Sequence, residues 1–224
     1  MSESIARRSD SRRPLAEIAA VVVFVLAAEW MVPPLFGRNL FAEAVPVALV
    51  FAIIFSSHLR TKESPRDLGW RIDNFATATV VLAPLIAAAA GFLFALSWIT
   101  GNLPSVGTAA LNLPLVWTFL GLIAWGLVQE YPLQGFINRR LQGVMGAGSL
   151  SVTVTALIFA VLHLPNPWLT AGTFLGGLLI SYAYQRVPNL LAAGLAHAIL
   201  TVILVLTVPY PMLHGLRVGY YFFH

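Results

Sequence analysis

Charge is what this sequence has least of. Of its 224 residues 10% are Asp, Glu, Lys or Arg and 58% are hydrophobic, whereas soluble domains carry about 25% charged residues. A water-soluble globule needs far more polar surface, so that class is excluded. Cysteine is absent, which removes disulfides and thiolate metal sites. Acidic residues nearly vanish after Asp73, beyond which Glu130 is the only one. No cleavable signal peptide is read, because the first apolar run is too long and lacks a small-residue cleavage site.

What is present is long hydrophobic runs. Seven stretches are expected to be spans: 15–36, 39–59, 74–100, 115–138, 148–164, 168–185 and 190–208. Each approaches the roughly 20 apolar residues that cross a bilayer as a helix. The expected fold is therefore all-α, a polytopic transmembrane helical bundle. Residues 1–14, rich in Ser and Arg, are expected to be a disordered cytoplasmic N-terminus, and 15–224 a single transmembrane domain. With the N-terminus inside, eleven of the thirteen basic residues fall on one side and only Arg38 and Arg217 on the other. That split follows the positive-inside rule and predicts a cytoplasmic N-terminus; the membrane is expected to be the bacterial inner (plasma) membrane. The uncharged loop 101–114 suits an outer connection. The basic residues sit in short loops and read as topology signals, so no nucleic-acid partner is expected. Membrane lipids are expected partners.

His163-Leu-Pro-Asn-Pro167 separates the fifth and sixth runs. Proline lacks a donor N–H and clashes with the preceding turn, so a broken helix is predicted after His163. Such breaks survive at membrane depth only when buried in protein or lining a wet cavity.

An ionisable group in hydrocarbon costs about 2.5–3.5 kcal/mol on insertion scales, so each one is a functional candidate. Glu130, His163 and His197 all lie in apolar runs. Glu130 lies eight residues before Asn138, about 12 Å deep at 1.5 Å per residue. His197 reaches a similar depth from the same side. Gln134, four residues past Glu130, is expected to share its face. Simple counting puts His163 nearer the outer surface. Taken singly, a polar residue in a bundle is more often helix–helix glue, and Gln129 and Gln134 read first as packing hydrogen bonders. Three acid–base groups together favour chemistry.

These residues resemble a family, the CAAX proteases and bacteriocin-processing enzymes, also called the abortive-infection family. Its pattern is Glu-Glu-x-x-Phe-Arg-Gly on one span, Phe-x-x-x-His on the next and His-x-x-x-Asn on a late span. This chain has Gln129-Glu130-Tyr131-Pro132-Leu133-Gln134-Gly135, Phe159-Ala-Val-Leu-His163 and His197-Ala-Ile-Leu-Thr201. The resemblance covers about 116–206 and implies an intramembrane endopeptidase. Its substrate would be a membrane-bound or lipidated peptide, cleaved by water activated at Glu130 with His163, while His197 and Thr201 stabilise the oxyanion. Gln129 and Gln134 would support them. The family's first Glu, which activates water, is matched by Gln129, its Arg by Gln134 and its Asn by Thr201. A catalytically inactive member serving as a membrane scaffold or immunity factor is the alternative. No cofactor is expected. Should a metal be used, Glu130, His163 and His197 would hold Zn²⁺ with water in the fourth position. A transporter with Glu130 as proton relay ranks last, since no paired broken helices or repeat are present.

Overall fold

A computed structural model describes residues 2–102 and 113–224, so the central part of the expected outer loop, 103–112, lies outside the described residues. Among the described residues the chain is all-α, with no strand. Its helices are α1 (Ser2–Trp30), α2 (Val32–Phe36), α3 (Leu40–Thr61), α4 (Phe75–Ile99), α5 (Leu113–Glu130), α6 (Arg139–Met145), α7 (Ser149–Val161), α8 (Pro167–Arg186), α9 (Leu190–Thr207) and α10 (Tyr210–Leu213). A π-helical segment, Tyr131–Asn138, joins α5 to α6 without interruption. Three helices, α3, α4 and α9, are long and apolar enough to cross a membrane.

The seven expected spans meet helices at their expected places, with two differences. First, α1 is described from Ser2, through the segment for which disorder is expected. An Arg13–Glu17 pair, 3.1 Å apart and one turn apart in sequence, ties that turn together. Second, α7 has 13 residues, so it rises only about 20 Å and is too short to cross a 30 Å core alone. It ends at Val161, two residues before His163. Asn166 caps the next helix by accepting from the Leu169 amide at 3.1 Å, and Pro167 takes its first turn. The break therefore occupies 162–166.

Two apolar clusters sit side by side. Ile18 and Val21 of α1, Val50 and Ile54 of α3, Phe136 and Ile137 of the π segment, and Phe159 of α7 form one. Ala78 and Leu82 of α4, Ile180 and Ala183 of α8, and Ala192, Ala193 and Ala196 of α9 form the other. Small residues let these helices approach closely, as where Gly177 of α8 meets Ala156 of α7.

The charges gather at one end. Glu17 pairs with Arg13 and Arg60, Glu63 with Arg139 and Arg140, and Asp73 with Arg66 and Arg71. At the opposite end the Arg38 guanidinium lies 5.5 Å from the Tyr221 ring, and Asn166 donates to the Arg217 carbonyl at 3.2 Å. The partition drawn from the basic residues is thus a partition of the folded bundle, with Arg38 and Arg217 at the far end.

Candidate active site

Glycines bring α5 and α9 together. A Cβ on Gly126 would lie 2.7 Å from the Gly194 carbonyl oxygen and 3.2 Å from the His197 Cβ, and one on Gly194 would strike Leu127. Further along, Gly135 packs against Leu190, so the two helices run antiparallel. Helical side chains lean toward their own N-terminus. In an antiparallel pair, Glu130 and His197 therefore lean toward each other across the gap. His197 Nδ1 meets Glu130 Oε1 at 2.9 Å. Glu130 is fully buried (0% exposed), and its second oxygen, Oε2, is buried with no hydrogen-bond partner. A buried unpartnered carboxylate oxygen is costly, and such orphans ask for a functional account or a bound water.

Immediately after Glu130 the helix widens. Pro132 has no N–H for the Val128 carbonyl, and the hydrogen-bond ladder shifts to π-helical spacing over Tyr131–Asn138. Gln134, four residues past Glu130, makes no hydrogen bond to it among the described residues. Instead Gln134 donates to Ser181 Oγ at 3.1 Å and accepts from Asn138 Nδ2 at 2.7 Å. Its role in the fold is to fasten the π segment to α8.

His163 reaches the site through its ring. Its Nδ1 lies 2.7 Å from the Phe159 carbonyl oxygen one turn earlier, which folds the imidazole back along α7. Phe159 then stands between the two histidines, its ring centroid 4.7 Å from that of His163 and 5.9 Å from that of His197. A carbonyl only accepts, so Nδ1 of His163 carries hydrogen. When the ring is neutral its Nε2 is then a bare acceptor.

Thr201, half-buried, lies one turn beyond His197 on the same side of α9. Gln129, also half-buried, points about 100° away from Glu130 around α5. Neither makes a side-chain hydrogen bond to Glu130, His163 or His197 among the described residues. Glu130 with His197 is therefore the direct contact, His163 is linked through Phe159, and Gln129, Gln134 and Thr201 stand apart from it.

The donor set does not fit a zinc ion as arranged. Among the described residues no three His, Cys, Asp or Glu side chains gather closely enough to hold a metal. No step below is routed through one.

Sequence reasoning missed the polar network beneath the site. Asn138, fully buried, accepts from Gln185 at 2.8 Å and from Gln142 at 3.2 Å. Gln185 also donates to Ser151 and accepts from the Gly148 amide. These bonds lock the π segment to α7 and α8, the helices that flank the His163 break. Asn138, Ser181 and Gln185 near the ends of apolar runs were a readable signal of glue, but their partners were not.

Residues 110–203 match the family model described as Rce1-like, type II CAAX prenyl endopeptidase Rce1-like. Comparison with curated proteins and with solved structures gave no match. The matched segment contains Glu130, Phe159, His163, His197 and Thr201, so the chain is an integral membrane protein carrying, over residues 110–203, a segment similar to the Rce1-like CAAX endopeptidases, a protease family.

Proposed function

We propose that this protein is an intramembrane endopeptidase that hydrolyses a peptide bond in a membrane-bound or lipidated substrate. The observation that carries the reading is the Glu130 carboxylate, one oxygen on His197 and the other buried without a partner. Oε2 of Glu130 takes a proton from water as the water oxygen bonds to the peptide carbonyl carbon. His163, through Nε2, accepts the second water hydrogen as a hydrogen bond. The carbonyl oxygen gains negative charge, which His197, through its Nε2 edge, and the Thr201 hydroxyl stabilise. The proton on Glu130 then passes to the amide nitrogen, the C–N bond breaks, and an amine and a carboxylic acid leave. The work of His197 before that point is to hold Glu130 in one rotamer.

The protein resides in the plasma membrane of a bacterial-type cell, with the N-terminus and the loop between α3 and α4 on the cytoplasmic side by the positive-inside rule. Cysteine labelling at Ser64 and at Leu40 should occur from opposite sides, and labelling of both from one side contradicts this orientation.

A second reading has its own support. Gln129 stands where the family has its water-activating Glu, and Gln134, where the family has Arg, is consumed by Asn138 and Ser181. An inactive member acting as a membrane scaffold or immunity factor would look this way. Cells carrying Glu130→Gln should accumulate uncleaved precursor peptides while the protein remains folded in the membrane. An unchanged peptide profile, with Gln129→Glu producing cleavage, favours the inactive reading.

A further inference from the structure

We infer that the loop between α3 and α4 is a binding site for the headgroup of an anionic phospholipid in the leaflet at the charged end of the bundle. Arg66, Trp70, Arg71, Ile72, Asp73 and Leu191 line an open cavity of about 520 Å³ there. The loop is not a loose tether. Leu190 donates its amide to the Gly69 carbonyl at 2.9 Å, Asn189 to the Arg71 carbonyl at 2.8 Å, and the Tyr184 hydroxyl to the Leu68 carbonyl at 2.8 Å. Gly69 adopts φ +90°, and a Cβ there would press on the Asn189 backbone at 3.0 Å, so the loop lies flat on the α8–α9 junction. Leu68, Gly69 and Arg71 are anchored through their main-chain carbonyls, so the Arg66, Ile72 and Asp73 side chains stay exposed.

What is displayed has the chemistry of a membrane interface. Ile72 is 80% exposed and Trp70 39%, in a loop bracketed by the ends of two membrane-crossing helices. Tryptophan favours headgroup depth, and guanidinium groups favour phosphate and carboxylate. Both arginines share one carboxylate: Arg66 reaches Asp73 at 2.8 Å and Arg71 also pairs with it. Two cations on one anion leave a net positive charge, and Asp73 occupies the place an incoming phosphate would take. A phosphodiester can satisfy both arginines in turn, with the acyl chains lying along Ile72 and Leu191. The Trp70 ring packs on Tyr131, 6.0 Å between centroids, and Tyr131 follows Glu130 directly. The lipid site is therefore one ring away from the candidate active site, though it stands without that site's being catalytic.

The test is native mass spectrometry of the full-length protein in detergent mixed with phosphatidylglycerol or phosphatidylcholine, counting lipid molecules retained. Each basic residue near an anionic surface is worth about a fivefold change in binding. Wild type should retain phosphatidylglycerol over phosphatidylcholine, and Arg66→Gln with Arg71→Gln together should lower that retention about 25-fold. Asp73→Asn should raise it, because the competing carboxylate charge is gone. The opposite directions of the two changes separate a binding effect from a folding defect, and unchanged circular dichroism checks the fold. Equal retention of the two lipids, or indifference to both substitutions, overturns the proposal. Displacement of phosphatidylglycerol by millimolar inorganic phosphate also overturns it, by assigning the site to a free anion.

Discussion

Two carboxylates in this bundle are treated in opposite ways. Glu63, at the charged end, is saturated: His58 at 2.9 Å, Arg140 at 2.6 Å, Thr61 at 2.7 Å and Arg139 at 2.9 Å all meet it. Burial alone would raise its carboxyl, but the hydrogen bonds from His58, Arg140, Thr61 and Arg139 overcome that and hold it well below the ordinary glutamate value. Glu130, deeper in the bundle, has His197 and nothing on its second oxygen. A carboxylate whose lone pairs are all used can pin helices but has nothing left to offer a substrate. One with an unpaired buried oxygen asks for an account of that oxygen.

The comparison breaks first, and most, at Glu130. Glu130→Gln keeps the shape and removes the base, so cleavage should fall by about 10²–10⁴-fold in a product assay with little change in thermal stability. Glu63→Ala should do the reverse. It leaves Arg140 buried without its partner, which costs about 2–4 kcal/mol in denaturant unfolding of the solubilised protein. Gly126→Ala strikes the seam that brings the pair together. A methyl group 2.7 Å from the Gly194 carbonyl pushes α5 and α9 apart, at about 1–3 kcal/mol by overpacking, and cleavage should fall along with stability.

Acid sharpens the contrast. The depressed Glu63 carboxyl contributes stability fully above the unfolded glutamate value of 4.5. As pH falls below 4.5 the unfolded state takes up a proton that the folded Glu63 still resists, so that contribution is lost progressively. The thermal midpoint should drop over this range in the wild type and drop less in Glu63→Gln, as followed by scanning fluorimetry. The smallest effect is expected from Gln129→Glu. That side chain points away from Glu130, and a second carboxylate next to the first is held protonated or repelled, so cleavage by an active wild type should change little or decline.

Much of the bundle was legible because hydropathy and proline act locally. The helices fall at the expected runs, Pro165 and Pro167 stop the helix beside His163, and the basic residues sort to one end. The direct partner of Glu130 was readable because Glu130 and His197 count to the same depth from the same surface. The contact of His163 with Phe159, and through that ring with His197, is a side-chain choice that position along the chain does not show. The partners of Gln134, Ser181 and Asn138, could not be read because only folding brings α8 beside the π segment. Pro132 itself was in view, but whether a proline kinks a helix or widens it depends on the packing around Asn138 and Ser181. The short span of α7 had the same origin: Gly146 and Gly148 end α6 and start α7 where the tie of Gly148 to Gln185 sets the depth.

The central claim is that the open oxygen of Glu130 takes the proton from the attacking water. Cleavage of a membrane peptide by the purified protein in ¹⁸O-labelled water, read by mass spectrometry of the product, tests it most directly. The account predicts one ¹⁸O in the new C-terminal carboxylate with wild type and no labelled product with folded Glu130→Gln. Labelled product from Glu130→Gln at the wild-type rate would contradict it.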